Sequence, residues 1–250
     1  MLVICYGMAK SGSTLTYEVT KGILADAGHD QKKVRSFGLK PGGRGNYMAD
    51  LSRDALLDII EAIGSDRIVA AKTHMVFDAG MFAWLEDLQA QRKLQVIASY
   101  RDPRDICLSL VDHGKRSRNL GKEAFAHIGD LDRAAGLVEK AIPKFRKWAS
   151  LQGSLRVYFD TVAFTPDDAI ASIEKTLGVS ADHDAVKQHA FEDAFTQKNK
   201  AQKSRFATEM NADEQAALES RFSEFIERVC RQNDPQWFSG YREQMLAAAR

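Results

Sequence analysis

The first stretch of the chain constrains its fold most. The apolar run "LVICY" stops at Gly7, a short loop follows, and "STLTYEVTKGILADAG" then carries Leu15, Val19, Ile23 and Leu24 at helical spacing as far as Gly28. Two further short apolar runs, "RIVAAK" (67–72) and "LQVIASY" (94–100), each follow a helical pattern, "RDALLDIIEAIG" and "AGMFAWLEDLQAQRK". Such alternation predicts parallel strands joined by crossover helices. "LRVYF" (155–159) supplies a fourth strand, so the expected fold is α/β, a three-layer sandwich whose central parallel sheet has four to five strands. After it come helices: "PDDAIASIEKTLG" has proline in its first turn and stops at Gly178, and "NADEQAALESRFSEFIERVC" opens on a capping Asn211. The C-terminal half is expected to be helix-rich.

The 250 residues suit one domain, 1–250, and a net charge of +1 gives no global field for nucleic acid or a membrane surface. Anion binding has to be local. No stretch approaches the roughly 20 apolar residues of a membrane span, and the N-terminus lacks a signal-peptide pattern, so a cytoplasmic protein is expected. Cys5, Cys107 and Cys230 are odd in number and have apolar neighbours, which suits reduced core thiols. The histidines show no metal-ligand spacing, and no metal is expected.

In "YGMAKSGSTL", Gly7 and Gly12 have the spacing of a nucleotide-triphosphate loop, but the lysine is Lys10, two residues before the second glycine. The loop still directs backbone N–H groups and the positive end of a helix dipole at one point, with Ser11, Ser13 and Thr14 adding hydroxyls. Lys10 contributes nothing to packing there, and it can reach a bound anion. A kinase or ATPase would need its lysine after the second glycine, together with a magnesium-holding aspartate. The second and third strands end in "AAKTH" and "ASYRDPRDICLSL", so Lys72, His74 and Arg101 should converge on the loop at the carboxyl edge of the sheet. Ser109 follows about two turns into the next helix. The glycine-rich "LKPGGRGNY" (39–47) is either a cover over this pocket or an ordinary connection.

Together these segments resemble the sulfotransferases that use 3′-phosphoadenosine 5′-phosphosulfate (PAPS), whose fold is a P-loop-like three-layer sandwich. "AKSGSTL" is similar to that family's phosphosulfate loop, PKSGTTW: Lys10, Ser11, Gly12, Ser13 and Thr14 match, with Ala9 for proline and Leu15 for tryptophan. "YRDPRDICLSL" is similar to its 3′-phosphate segment, RNPKDVAVSY, through Arg101, Pro103, Asp105 and Ser109. "KTH" matches the segment with the catalytic histidine, and "VYFDTV" around Tyr158 looks like a later strand, RYEDL. "FTQKNKAQKSRF" stands where the family has an RKG loop, without RKG, so Lys198, Lys200, Lys203 and Arg205 are the expected basic residues there.

The resemblance implies transfer of a sulfuryl group from PAPS to a hydroxyl or amine of a small-molecule or carbohydrate acceptor, leaving adenosine 3′,5′-bisphosphate (PAP). It gives Lys10 the leaving phosphate, with Lys72 assisting, and His74 or a carboxylate, with Glu18 on the first helix as a substitute, the role of base. Lys10 to Leu15, Arg101, Ser109, Tyr158 and the basic stretch would bind the nucleotide. A nucleotide or small-molecule kinase and a non-catalytic nucleotide-binding protein are the competing readings, and a homodimer is among the assemblies considered.

Overall fold

The computed structural model describes residues 1–32, 46–194 and 202–248. Four strands, β1 (Leu2–Gly7), β2 (Val69–Thr73), β3 (Leu94–Tyr100) and β4 (Leu155–Tyr158), form one parallel sheet in the order β2-β1-β3-β4. Leu2 lies beside Val69 and Leu94, and Gly7 beside Ser99, so the three longer strands end at nearly one level. Against the expected four to five strands, the described residues hold four.

Alternation along β1 explains the layers. Leu2, Ile4 and Tyr6 enter one core with α2 (Arg53–Ile63), α3 (Phe82–Ala90), α4 (Pro103–Asn119) and α5 (Leu131–Ala149). Val3 and Cys5 enter the other, with α1 (Ser13–Asp26), α6 (Phe159–Phe164), α7 (Pro166–Leu177) and α8 (His183–Lys187). Cys5 and Cys107 are buried, Cys230 is partly so, and all three are free thiols.

Helix α7 has its proline in the first turn and ends on left-handed Gly178, as its sequence predicts. Asn211 and Glu214 form a reciprocal capping box, but the periodic segment behind them breaks in two: α9 (Phe206–Glu209) precedes it, α10 (Ala212–Arg221) ends at Phe222, and a π-helical turn covers Phe225–Arg231. Helix α11 (Pro235–Ala248) closes the chain's described part.

Helices α5 and α11 have no counterpart among the elements read from sequence, and α5 bears directly on the site. Trp148 of α5 stacks on Tyr6 at 5.5 Å and meets Phe77 edge-on at 4.6 Å. Its indole N–H donates to the Met75 carbonyl at 3.0 Å, and Lys147 donates to that of Phe77 at 2.7 Å. Burying such an aromatic side chain contributes about 3 kcal/mol, and here it also fixes the backbone just after His74.

Candidate functional site

The loop between β1 and α1 is built by two left-handed residues, Lys10 at φ 66° and Gly12 at φ 83°. A Cβ on Gly12 would lie 2.4 Å from the ring of Phe159, so the close approach requires glycine as much as the dihedral does. Ser11 is fully buried: its N–H bonds the Met8 carbonyl at 3.1 Å and its hydroxyl donates to the same carbonyl at 2.8 Å. The serine therefore braces the loop from inside. Leu15 packs partly buried against the core below.

Gly12 caps α1 without any side-chain hydrogen bond, and the first turn contains no acidic residue. Its leading N–H groups are free of intrahelical partners by helix geometry, which makes this end an anion site. Lys72, near the end of β2, donates to the hydroxyl of Thr14 in this first turn. Burial lowers the Lys72 pKa to about 8, against the raising effect of Cys5 and Glu18. Lys10 is likewise lowered to about 8, by burial first and then by the charges of Arg116 and Arg101. Two ammonium groups crowded in this way gain from a bound anion.

His74 follows β2 directly. Its Nδ1 lies 2.8 Å from the Gly7 carbonyl, which can only accept, so Nδ1 carries the proton and Nε2 bears the lone pair of the neutral ring. Surrounding protein, and then the Lys72 charge, hold its pKa below the usual 6.5, although the residue as a whole is exposed. Tyr47, paired with Lys72 through a bridge beside β2, brings its ring to 6.2 Å from the imidazole. Met75 and Val76, the next two residues, are exposed. Glu18 is engaged elsewhere, 3.3 Å from Lys21 and 3.2 Å from His189.

Arg101, at the end of β3, is buried and lies over the Phe159 ring at 4.2 Å. One Nη donates to Asp105 at 3.1 Å, while its buried Nε has no partner. Asp105 also accepts from the Phe206 N–H at 3.0 Å, which ties α4 to α9. Ser109 is buried two turns into α4, whose N-terminus is capped by Asp102. Tyr158 ends β4 with its ring 5.1 Å from that of Tyr100.

The sheet thus brings Lys10, Lys72, His74 and Arg101 together at its carboxyl edge. Of the basic stretch, Lys198 and Lys200 lie outside the described residues, as do 39–45 of the glycine-rich loop. Lys203 is exposed and its charge reaches Asp160 of α6. Arg205 is turned inward, 1% exposed, with bonds to Asp112 at 2.7 Å and Glu209 at 2.8 Å. A residue missed from sequence is His113, whose Nδ1 lies 3.0 Å from the Lys10 ammonium. Its only signal was its place one turn beyond Ser109 on the same helix.

No family model and no curated protein sequence matches the chain. Solved structures do match, and they define the class of fold: a parallel α/β sandwich flanked by helices. Retinol dehydratase in complex with androsterone and the inactive cofactor PAP is similar, with a TM-score of 0.51 and 15% identity over 90% of this chain and 80% of that one. Retinol dehydratase in a complex with retinol and PAP gives 0.49 and 15% over 90% and 81%. Among the described residues, no helix is long and apolar enough to cross a membrane.

Proposed function

We propose that the chain is a PAPS-dependent sulfotransferase that acts on a hydroxyl or amine of a small-molecule acceptor. The observation that carries this reading is Lys72 bonded to the Thr14 hydroxyl at a helix N-terminus that no side chain caps, with Lys10 in the loop that leads into it. The residues fit an anionic nucleotide: the N-terminus of α1 has no side-chain cap and no acidic residue in its first turn, and Arg101 has a buried, unpartnered Nε. The fold shared with a protein crystallised with PAP supports the choice of nucleotide.

Bound PAPS supplies an activated sulfuryl group whose leaving group is a phosphate. The helix N-terminus and the Thr14 hydroxyl hold the 5′-phosphate, and Lys10 places its charge where negative charge builds up as the S–O bond breaks. Lys72, bonded to Thr14, adds a second positive charge at this helix end. Arg101 and Ser109 bind the 3′-phosphate. His74 takes the acceptor's proton at Nε2, the Gly7 carbonyl holding the other ring nitrogen in the donor state. Exposed Met75 and Val76 beside it present apolar surface to the acceptor.

A thermal-shift comparison tests the reading, because a ligand that binds only the native state raises its melting temperature. Adenosine 3′,5′-bisphosphate should stabilise the protein and ATP with Mg²⁺ should not. Stabilisation by ATP alone would replace the reading with a kinase.

A further inference from the structure

Lys10 does not stand alone in the loop. Its ammonium meets His113 of α4 at 3.0 Å. A lysine ammonium can only donate, so Nδ1 of His113 accepts and the ring proton sits on Nε2. The charged groups around the pair are Arg116 and Asp112 on α4, Arg101 at the end of β3, and Lys122 in the turn after α4. Three of these four are cationic, which favours a neutral imidazole, and its pKa is lowered by burial first and then by Lys10.

The imidazole is held by construction. A Cβ on Gly114 would lie 2.1 Å from the Ile128 carbonyl oxygen and 2.8 Å from that of Phe125, so only glycine lets the turn after α4 lie against the helix. Ser117 donates to the Ala124 carbonyl, and Arg118 donates to those of Ala126 and Ile128 at 2.7 and 2.8 Å. The clamped turn presses Phe125, itself left-handed at φ 60°, edge-on against His113 at 5.1 Å. A strained residue maintained by this many bonds marks a position that the fold over-determines.

We propose that His113 is a positioning residue for Lys10: its Nδ1 holds the ammonium on α4, and an anion at the N-terminus of α1 has to take it from there. The inference rests on the nucleotide reading above for the identity of that anion. Lys10 then shifts from a neutral acceptor to a charged one, and the bond it gives up lowers the net affinity for nucleotide.

Calorimetric titration of adenosine 3′,5′-bisphosphate into wild type, His113→Phe and His113→Asn tests this. The phenylalanine keeps a ring against Phe125 and removes the acceptor, so the dissociation constant should fall about fivefold, the size expected of a partly exposed bond to a charged donor. Asparagine, whose side-chain oxygen accepts from Lys10, should return the constant toward wild type. A purely structural histidine would weaken binding instead, so an unchanged or raised constant in His113→Phe overturns the proposal. A second arm contains no nucleotide: acetic anhydride labelling at pH 7, read by mass spectrometry. Lys10 should label about threefold faster in His113→Phe, because its ammonium form has lost a stabilising acceptor. An unchanged rate also overturns the proposal. Failure of the bisphosphate to bind wild type would remove the nucleotide reading, and labelling would then decide the Lys10–His113 contact by itself.

Discussion

His74 and the two lysines titrate from opposite sides of neutrality, and the balance sets the working pH. In the proposed mechanism neutral His74 is the base and its pKa is lowered below 6.5, so the acidic limb of kcat/KM should lie below that value. The same mechanism uses Lys10 and Lys72 as cations and both are lowered to about 8, so kcat/KM should fall as pH rises through that value. A pH–rate profile checks the bell shape, and a falling limb absent up to pH 9.5 would remove both lysines from the mechanism. His74→Ala should lower kcat by about 100-fold and abolish the acidic limb. The same lysines also affect stability. Their folded pKa lies below the unfolded value, so the ligand-free protein should gain stability as pH rises from about 8 toward 10.5. At pH 7 both carry charge that burial disfavours, and Lys72→Met should raise the melting temperature by about 3 °C, as roughly 1 kcal/mol does in a chain of this size. The variant should also lose most of the stabilisation given by the bisphosphate. Lys10, Lys72 and His74 were legible in the sequence because each ends a strand or sits in the loop that follows one. His113 was not, since its meeting with Lys10 depends on the path of α4 across a hundred residues of sequence.

At the scale of elements, the β1-loop-α1 unit was readable because a buried strand, two glycines and a helical period are all local signals. What the sequence did not show is the partner of that loop. Phe159, the first residue of α6, fills the space a side chain on Gly12 would need and stacks under Arg101, so one ring touches both the β1–α1 loop and the end of β3. Gly12→Ala should cost about 2 kcal/mol from its left-handed backbone, with a further cost from the clash. Urea unfolding should show that Gly12→Ala/Phe159→Ala loses less stability than the sum of the single losses, because the clash is relieved and the strained dihedral is not. Strict additivity would mean the two residues do not touch. Helix α5 escaped sequence reading for a different reason: Pro143 sits inside it, and an interior proline ordinarily ends a helical pattern. The π-helical turn at Phe225–Arg231 likewise shifts the period of a segment that reads as one helix.

On the scale of the whole molecule, the sheet brings the site together and the helical C-terminal half holds α4 in place. The sheet followed from alternating patterns, and the basic stretch around 198–205 followed only from its charges, which do not say which way a side chain turns. Arg205 turns inward. It joins α9 to α4 through Asp112, and its neighbour Phe206 holds Asp105, the carboxylate that bonds Arg101. Phe206 also lies under Arg104, 3.5 Å from its guanidinium. Removing Arg205 should therefore act at two distances. Arg205→Ala leaves Asp112 and Glu209 without this cation, and since both carboxylates are partly exposed the loss of stability should be about 2 kcal/mol, below the full cost of breaking a buried pair. It should also loosen Phe206 and hence Asp105, so the preference for adenosine 3′,5′-bisphosphate over AMP should shrink severalfold while AMP affinity hardly changes. Arg101→Ala should erase that preference outright, because it removes the charge-assisted contact proposed for the 3′-phosphate. Calorimetric titration of both nucleotides into both variants separates the cases. Equal weakening of the two nucleotides in Arg101→Ala would show that Arg101 serves only its ion pair with Asp105, and the C-terminal half would then support the fold and not the site.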